Sequence, residues 1–175
     1  EGRVVGYKWC AAQCAGLSAQ EMRALTETVF LAAVRAGDIT VRPGIFDLIA
    51  ALKAADWEVW IVTASAEVIV QGISKYLGLP PERVLGMKLP TCPKTKVLLP
   101  DILDPATIFQ GKLDAILKYI GRTPHIAVGD SDTDFEMIES AQLGIVIDRG
   151  QPKLRRLAQN TSVWLQADWT TLSME

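Results

Sequence analysis

A chain of 175 residues with 49% hydrophobic and 22% charged residues has room for one domain with a substantial core and at most a small addition. Its 18 Lys and Arg against 20 Asp and Glu leave a net charge of −2, which excludes the basic footprint of a nucleic-acid or anionic-membrane partner. No window approaches the ~18 consecutive apolar residues of a membrane span, and Glu1-Gly2-Arg3 neither begins with Met nor forms a signal peptide, so the removal of an upstream segment is expected.

In chain order, residues 1–37 read as helical and differ in character from the rest of the chain. Ser18 caps a helix with Glu21 at the capping-box position, and Leu25, Val29, Ala32 and Ala33 recur at helical spacing until Gly37. Pro43 opens a helix to about Ala55 with Ile45, Leu48, Ile49 and Leu52 on one face. The run Val59-Trp60-Ile61-Val62 predicts a strand buried on both faces. Ser65 is placed as the cap of a helix to about Tyr76. Val84 to Leu99, interrupted by Pro90 and Pro93, reads as a short hairpin or irregular excursion. A helix from about Lys112 to Ile120 precedes a strand at 125–128, and a helix from about Asp132 to Ala141 follows it. A strand Leu143–Ile147, a helix Pro152–Ala158 and a strand Ser162–Leu165 complete the pattern. Alternation of this kind predicts an α/β fold, a Rossmann-like parallel sheet with helices on both faces.

Cys10, Cys14 and Cys92 are too few and too irregular for a disulfide framework, and a single His leaves no zinc set. They read as packed or surface residues, and they fit a reducing compartment, the cytoplasm.

Ligands of open parallel sheets sit at the carboxyl ends of the strands. Thr63-Ala64-Ser65 follows one strand, where hydroxyls and free helix N–H groups make a phosphate site; read singly, Thr63 is a strand-end residue and Ser65 a cap. Gly129 and Asp130 follow another strand, and a carboxylate delivered there suits Mg2+. Asp132 and Asp134 open the next helix, where negative charge is favoured; Asp132 reads as a plain helix-start acid. Lys112 stands at the front of a helix, where the dipole disfavours a cation unless an anion binds beside it; a solvated surface lysine is the equal alternative.

The series VWIVTAS, QGKLDAI and IAVGDSDTDFEMI resembles the second, third and fourth motifs of the haloacid-dehalogenase-like hydrolases. RPGIFDLIAALKAADWEVWIVTAS is similar to the phosphoserine-phosphatase-type branch, and the resemblance covers about residues 40–150. It implies a phosphomonoester hydrolase acting through an aspartyl-phosphate on a small phosphorylated metabolite. Thr63 would hydrogen-bond the transferring phosphoryl group together with Ala64 and Ser65. Lys112 would neutralise the nucleophile–phosphate pair, and Asp130 would bind Mg2+, with Asp134 supporting the metal shell and Lys112. Residues 1–40 would form an incomplete helical cap similar to those of phosphoserine- or phosphorylcholine-phosphatase-like proteins, and 41–175 the core. Tyr7 and Trp9 could enclose a cationic head group, although packing is the expected role.

The family's first motif, Asp-x-Asp-x-Thr/Ser after an apolar strand, does not occur; the only Asp-x-Asp pairs lie within Asp130–Asp134. In the family that motif precedes the cap, and its strand lies between those at 59–62 and 125–128. The expectations are therefore a gap in the sheet, a nucleophile on a separate or removed N-terminal segment, and an inert chain when alone. The rival reading is a non-catalytic module that keeps a phosphate and metal pocket.

Overall fold

A computed structural model describes residues 2–39 and 42–166. Helices α1 (Gly2–Ala12), α2 (Ala19–Ala36) and α3 (Pro43–Ala54) lead to strand β1 (Ile61–Ala66). Helix α4 (Glu67–Ile73) continues as a 3-10 turn to Leu77, and β2 (Val84–Met87) comes next. After an irregular stretch come α5 (Gln110–Tyr119), β3 (Ile126–Gly129), α6 (Phe135–Glu139), β4 (Leu143–Ile147), α7 (Pro152–Leu157) and β5 (Val163–Gln166). All strand pairs are parallel, as the alternating pattern predicts. No helix among the described residues is long and apolar enough to cross a membrane.

Helix α2 shows how local sequence sets its limits. The Ser18 hydroxyl accepts the Glu21 N–H at 3.2 Å, while the Glu21 carboxylate accepts the Ser18 N–H at 2.8 Å, so two free donors of the first turn are satisfied. Gly37 ends the helix with φ +80°, a left-handed conformation that a side chain would disfavour.

The strands form two sheets, β1-β2 and β3-β4-β5. β3 and β4 pair without interruption, Ile126 opposite Leu143 through Gly129 opposite Val146. β1 and β2 pair at Ile61–Val84 and Val62–Leu85, then shift register before Ala66–Met87. Among the described residues no ladder joins β1 to β3. Between them lies an apolar groove of about 390 Å3, lined by Leu48, Ile49, Trp60, Val62, Ile116 and Val128 among others. The ladder is thus open at the place where the family resemblance puts the first-motif strand.

The core has two centres. One lies under β3–β4–β5 and contains Leu85, Ile116, Ala127, Ile138, Val146 and Leu154. The other joins the first two helices to β1–β2 through Ala11, Met22, Ala66, Val68, Met87 and Ile108. Each large aliphatic side chain fully buried in this way contributes about 1.5–3 kcal/mol, and Leu85 of β2 with Val62 of β1 ties the first centre to the other half.

Several expectations need correction. β1 begins at Ile61 rather than Val59 and is half-buried, not buried on both faces, because one edge borders the groove. Ser65 lies within β1; Ala66 is the residue before α4, and no side chain caps that helix. The start of the supposed hairpin, Val84–Met87, is a fully buried sheet strand, its four residues too short to show a period. Asp132–Asp134 form a 3-10 turn, and α6 begins only at Phe135. Of the cysteines, read as packed or surface residues, Cys10 in α1 is exposed, Cys14 beyond it is buried and Cys92 lies in between.

Candidate functional site

The entry to α5 is built under tight constraint. Phe109 adopts φ +53°, and a Cβ at Gly111 would stand 1.8 Å from the Ala106 carbonyl oxygen, so only glycine fits this turn. The first turn of α5 is thereby pressed against the preceding loop, and Lys112 is buried at 5% exposure rather than solvated. Its Nζ donates to Asp134 Oδ1 at 2.5 Å and to the Val62 carbonyl at 3.0 Å. One residue along β1, the Thr63 carbonyl accepts the hydroxyl of the buried Thr107 at 2.6 Å. Two side chains from the 104–112 region therefore reach β1 directly.

Asp134 is the counterpart from β3. A Cβ at Gly129 would fall 2.5 Å from the Asp134 Cβ, so this glycine lets the carboxylate fold back over the strand end. Asp134 Oδ2 accepts the N–H groups of Asp130 at 3.3 Å and Ser131 at 3.0 Å. Both carboxylate oxygens are used, one on the ammonium and the other on the loop. An ion pair this deeply buried holds only because its remaining hydrogen-bonding capacity is met.

The three aspartates behind β3 have different environments. Asp130 Oδ2 accepts from Arg149 Nη1 at 2.9 Å. Asp132 is more than a helix-start acid. Arg3 of α1 donates to its two oxygens at 2.6 and 3.0 Å, and those bonds hold the carboxyl below its ordinary pKa. The Arg3 guanidinium also lies 5.1 Å from the Phe109 ring centroid. Each acid of the crowded run thus has its own cationic partner, which offsets the like-charge cost.

Of the predicted residues, Lys112 and Asp134 meet directly, Asp134 is tied to Asp130 through the Asp130 N–H, and Thr63 is next along β1 to Val62, whose carbonyl accepts from Lys112. The Thr63 hydroxyl accepts the Ser65 N–H at 3.1 Å within β1, where its register with β2 shifts. Ala64 and Ser65 line a separate pocket of about 480 Å3 with residues of α1. Tyr7 and Trp9, expected to pack, line the same pocket and are 38% and 65% exposed. Sequence reasoning missed Thr107, Phe109, Arg3 and Arg149. The first two lie in a loop without periodicity, and the arginines carry no signal until the fold pairs them with aspartates.

The donor chemistry fits Mg2+ in part. Asp130 presents a hard oxygen ligand at the strand end, and Mg2+ takes one or two carboxylates, leaving the other positions to water and substrate. Asp134 is committed to Lys112 and the loop. Among the described residues no three His, Cys, Asp or Glu side chains group as a metal set. A metal held by Asp130, whose Oδ2 already accepts from Arg149, would need its other protein ligand to enter from elsewhere.

Against known proteins, a family model described as haloacid dehalogenase-like hydrolase matches residues 10–139, and a second of the same description matches residues 113–168. Comparison with curated proteins gives no match. Among solved structures, a conserved functionally unknown protein from Anaerococcus prevotii DSM 20548 is 22% identical with a TM-score of 0.76, over 87% of this chain and 50% of its own. A phosphoserine phosphohydrolase-like protein from Francisella tularensis subsp. tularensis SCHU S4 is 22% identical with a TM-score of 0.53, over 70% of this chain and 58% of its own. The chain spans about half the length of these structures, and the likeness is one of fold. The first family match alone takes in about three quarters of the sequence, and with it the chain belongs to the haloacid dehalogenase-like hydrolases.

Proposed function

We propose that this chain is the core of a Mg2+-dependent phosphomonoester hydrolase whose nucleophilic aspartate stands on an extended segment seated between β1 and β3. The observation that carries this reading is the buried Lys112 ammonium, fixed by Asp134 and by the carbonyl of Val62, a residue that lines the open groove. An ammonium has three donors, and these bonds use two. The third is available to a phosphoryl oxygen or to the incoming carboxylate. The Thr63 hydroxyl accepts from Ser65 and can donate its own proton to a second phosphoryl oxygen. Asp130 would hold Mg2+, which supplies charge neutralisation of the phosphoryl oxygens when bound. Asp134 positions Lys112 and the 130–131 loop.

The carboxylate of the seated segment attacks phosphorus, the P–O bond to the alcohol breaks, and the alcohol oxygen takes a proton from the second acid of the seated Asp-x-Asp element. Water then cleaves the acyl phosphate and releases inorganic phosphate. The groove supports the seated segment: it is apolar, and strands on both sides run parallel with open edges. Helices α1 and α2 would belong to the cap over this site, and the substrate would be a small phosphorylated metabolite.

The test is a p-nitrophenyl phosphate assay on the longest natural form of the protein, with and without Mg2+, beside its Asp130→Asn variant. Mg2+-dependent turnover that disappears in the variant is the expected outcome, with residues 1–175 alone inert. Turnover retained in Asp130→Asn removes the metal assignment. An inert longest form, with no Asp-x-Asp-x-Thr/Ser element, favours a non-catalytic phosphate-binding module.

A further inference from the structure

The pocket of about 480 Å3 between α1 and the turn from β1 into α4 shares Ala64 and Ser65 with the expected phosphate-binding segment. Its floor is Ala64, Ser65 and Ala66, and its roof is Gly6, Tyr7 and Cys10 of α1. If the chain is a phosphatase core as proposed, the floor adjoins the phosphoryl position at Thr63, and a group attached to that phosphoryl extends under α1.

The walls discriminate between classes of alcohol. No aspartate or glutamate lines the pocket, so a primary ammonium on the substrate would lose its hydration without a counter-ion. Its one charged lining residue, Arg3, is engaged by both oxygens of Asp132 and lies against the Phe109 ring. A substrate carboxylate would have to displace a bidentate partner. A sugar would bring several hydroxyls to a lining whose own hydroxyls are those of Ser65 and Tyr7, the rest being mostly apolar, and hydroxyls buried without partners are costly. An aromatic or aliphatic alcohol meets none of these obstacles. It would cover the half-open rings of Tyr7 and Trp9, which present apolar area to the pocket.

We infer that this pocket receives the leaving alcohol and selects phosphate monoesters of uncharged, apolar or aromatic alcohols over those of amino acids, amino alcohols and sugars. Gly6 gives a clean way to fill it, because a Cβ there would meet nothing within 4 Å and leucine is a better helix former than glycine. The experiment is isothermal titration of the chain in MgCl2 with inorganic phosphate, phenyl phosphate, O-phosphoserine, phosphocholine and glucose 6-phosphate.

Phenyl phosphate is expected to bind about tenfold or more tightly than inorganic phosphate, because the ring is removed from water. The other three esters gain little over phosphate, and Gly6→Leu brings the phenyl margin towards unity. Equal affinities for phenyl phosphate and phosphate overturn the inference and leave the phosphate site standing. Tighter binding of phosphoserine, phosphocholine or glucose 6-phosphate than of phenyl phosphate also overturns it, as does a Gly6→Leu protein that keeps the full margin. Absence of any phosphate binding overturns the phosphate site and this pocket assignment with it.

Discussion

The β3–β4–β5 half and the β1–β2 half of the molecule divide the labour unequally. The first has uninterrupted parallel register and one continuous core, and it supplies the charged groups: Lys112, Asp130 and Asp134. The second breaks register after Val62 and supplies hydroxyls, backbone and the pocket under α1. Among the described residues no sheet ladder joins them. Across the open ladder run polar links of the site, Lys112 to the Val62 carbonyl and Arg3 to Asp132, while Thr107 braces the Thr63 carbonyl within the second half. In this chain the candidate site is therefore also a structural joint. Substitutions there should lower stability as well as any activity, and the two effects must be separated.

The largest effect is expected at the centre of the joint. Lys112→Ala leaves the Asp134 carboxylate buried without its cation, and breaking a buried pair on one side costs about 3–5 kcal/mol. Urea denaturation measures the loss. The double variant Lys112→Met/Asp134→Leu removes both charges and should recover much of the stability. It should not recover phosphate binding, because no donor returns. A double variant as unstable as the single one would mean that the pair itself holds the halves together, beyond the cost of a stranded charge. Thr107→Val comes next. It keeps the shape of the side chain but strands the Thr63 carbonyl, at a cost of about 1–3 kcal/mol. Hydrogen exchange should then rise in β1 and leave β4 unchanged, which would confirm that Thr107 serves the weaker half; equal acceleration in both halves would dissolve the distinction between them.

The half with regular register is also the half that sequence patterns describe well. Leu143–Ile147 occupies the predicted bounds because a five-residue apolar run between turn signals has few alternatives. The capping box at Ser18 and Glu21 is legible for the same local reason. The β1–β2 half resists reading: Val84–Met87 is too short for a period, and Ser65 has the composition of a cap but lies within the strand that pairs with β2. At the site, the positions of Thr63, Lys112, Asp130 and Asp134 follow from motif order. The commitment of both Asp134 oxygens does not, since it depends on Gly129 letting the chain fold back. Arg3 and Asp132, 129 residues apart, meet only in the folded molecule.

The smallest expected effect separates the halves by pH. Glu67, at the start of α4, accepts the Gly86 N–H at 3.1 Å and lies 3.6 Å from Lys88 Nζ. Burial raises its pKa, and the Gly86 bond and Lys88 offset that only in part. A carboxyl whose folded pKa lies above its unfolded one contributes stability below the ordinary glutamate range, and that contribution is lost as pH rises through the raised value. Asp132, held low by Arg3, has the opposite sign: its contribution is present at neutral pH and lost on acidification through its lowered value. Glu67→Gln removes the first dependence and leaves the second. Wild type and variant should therefore differ more in favour of the variant at about pH 8 than at about pH 4, values on either side of the ordinary glutamate pKa. Urea denaturation at both pH values measures this. A difference that does not change with pH would mean that Lys88 and Gly86 fully compensate the buried charge, and the β1–β2 half would then carry no uncompensated carboxylate at Glu67.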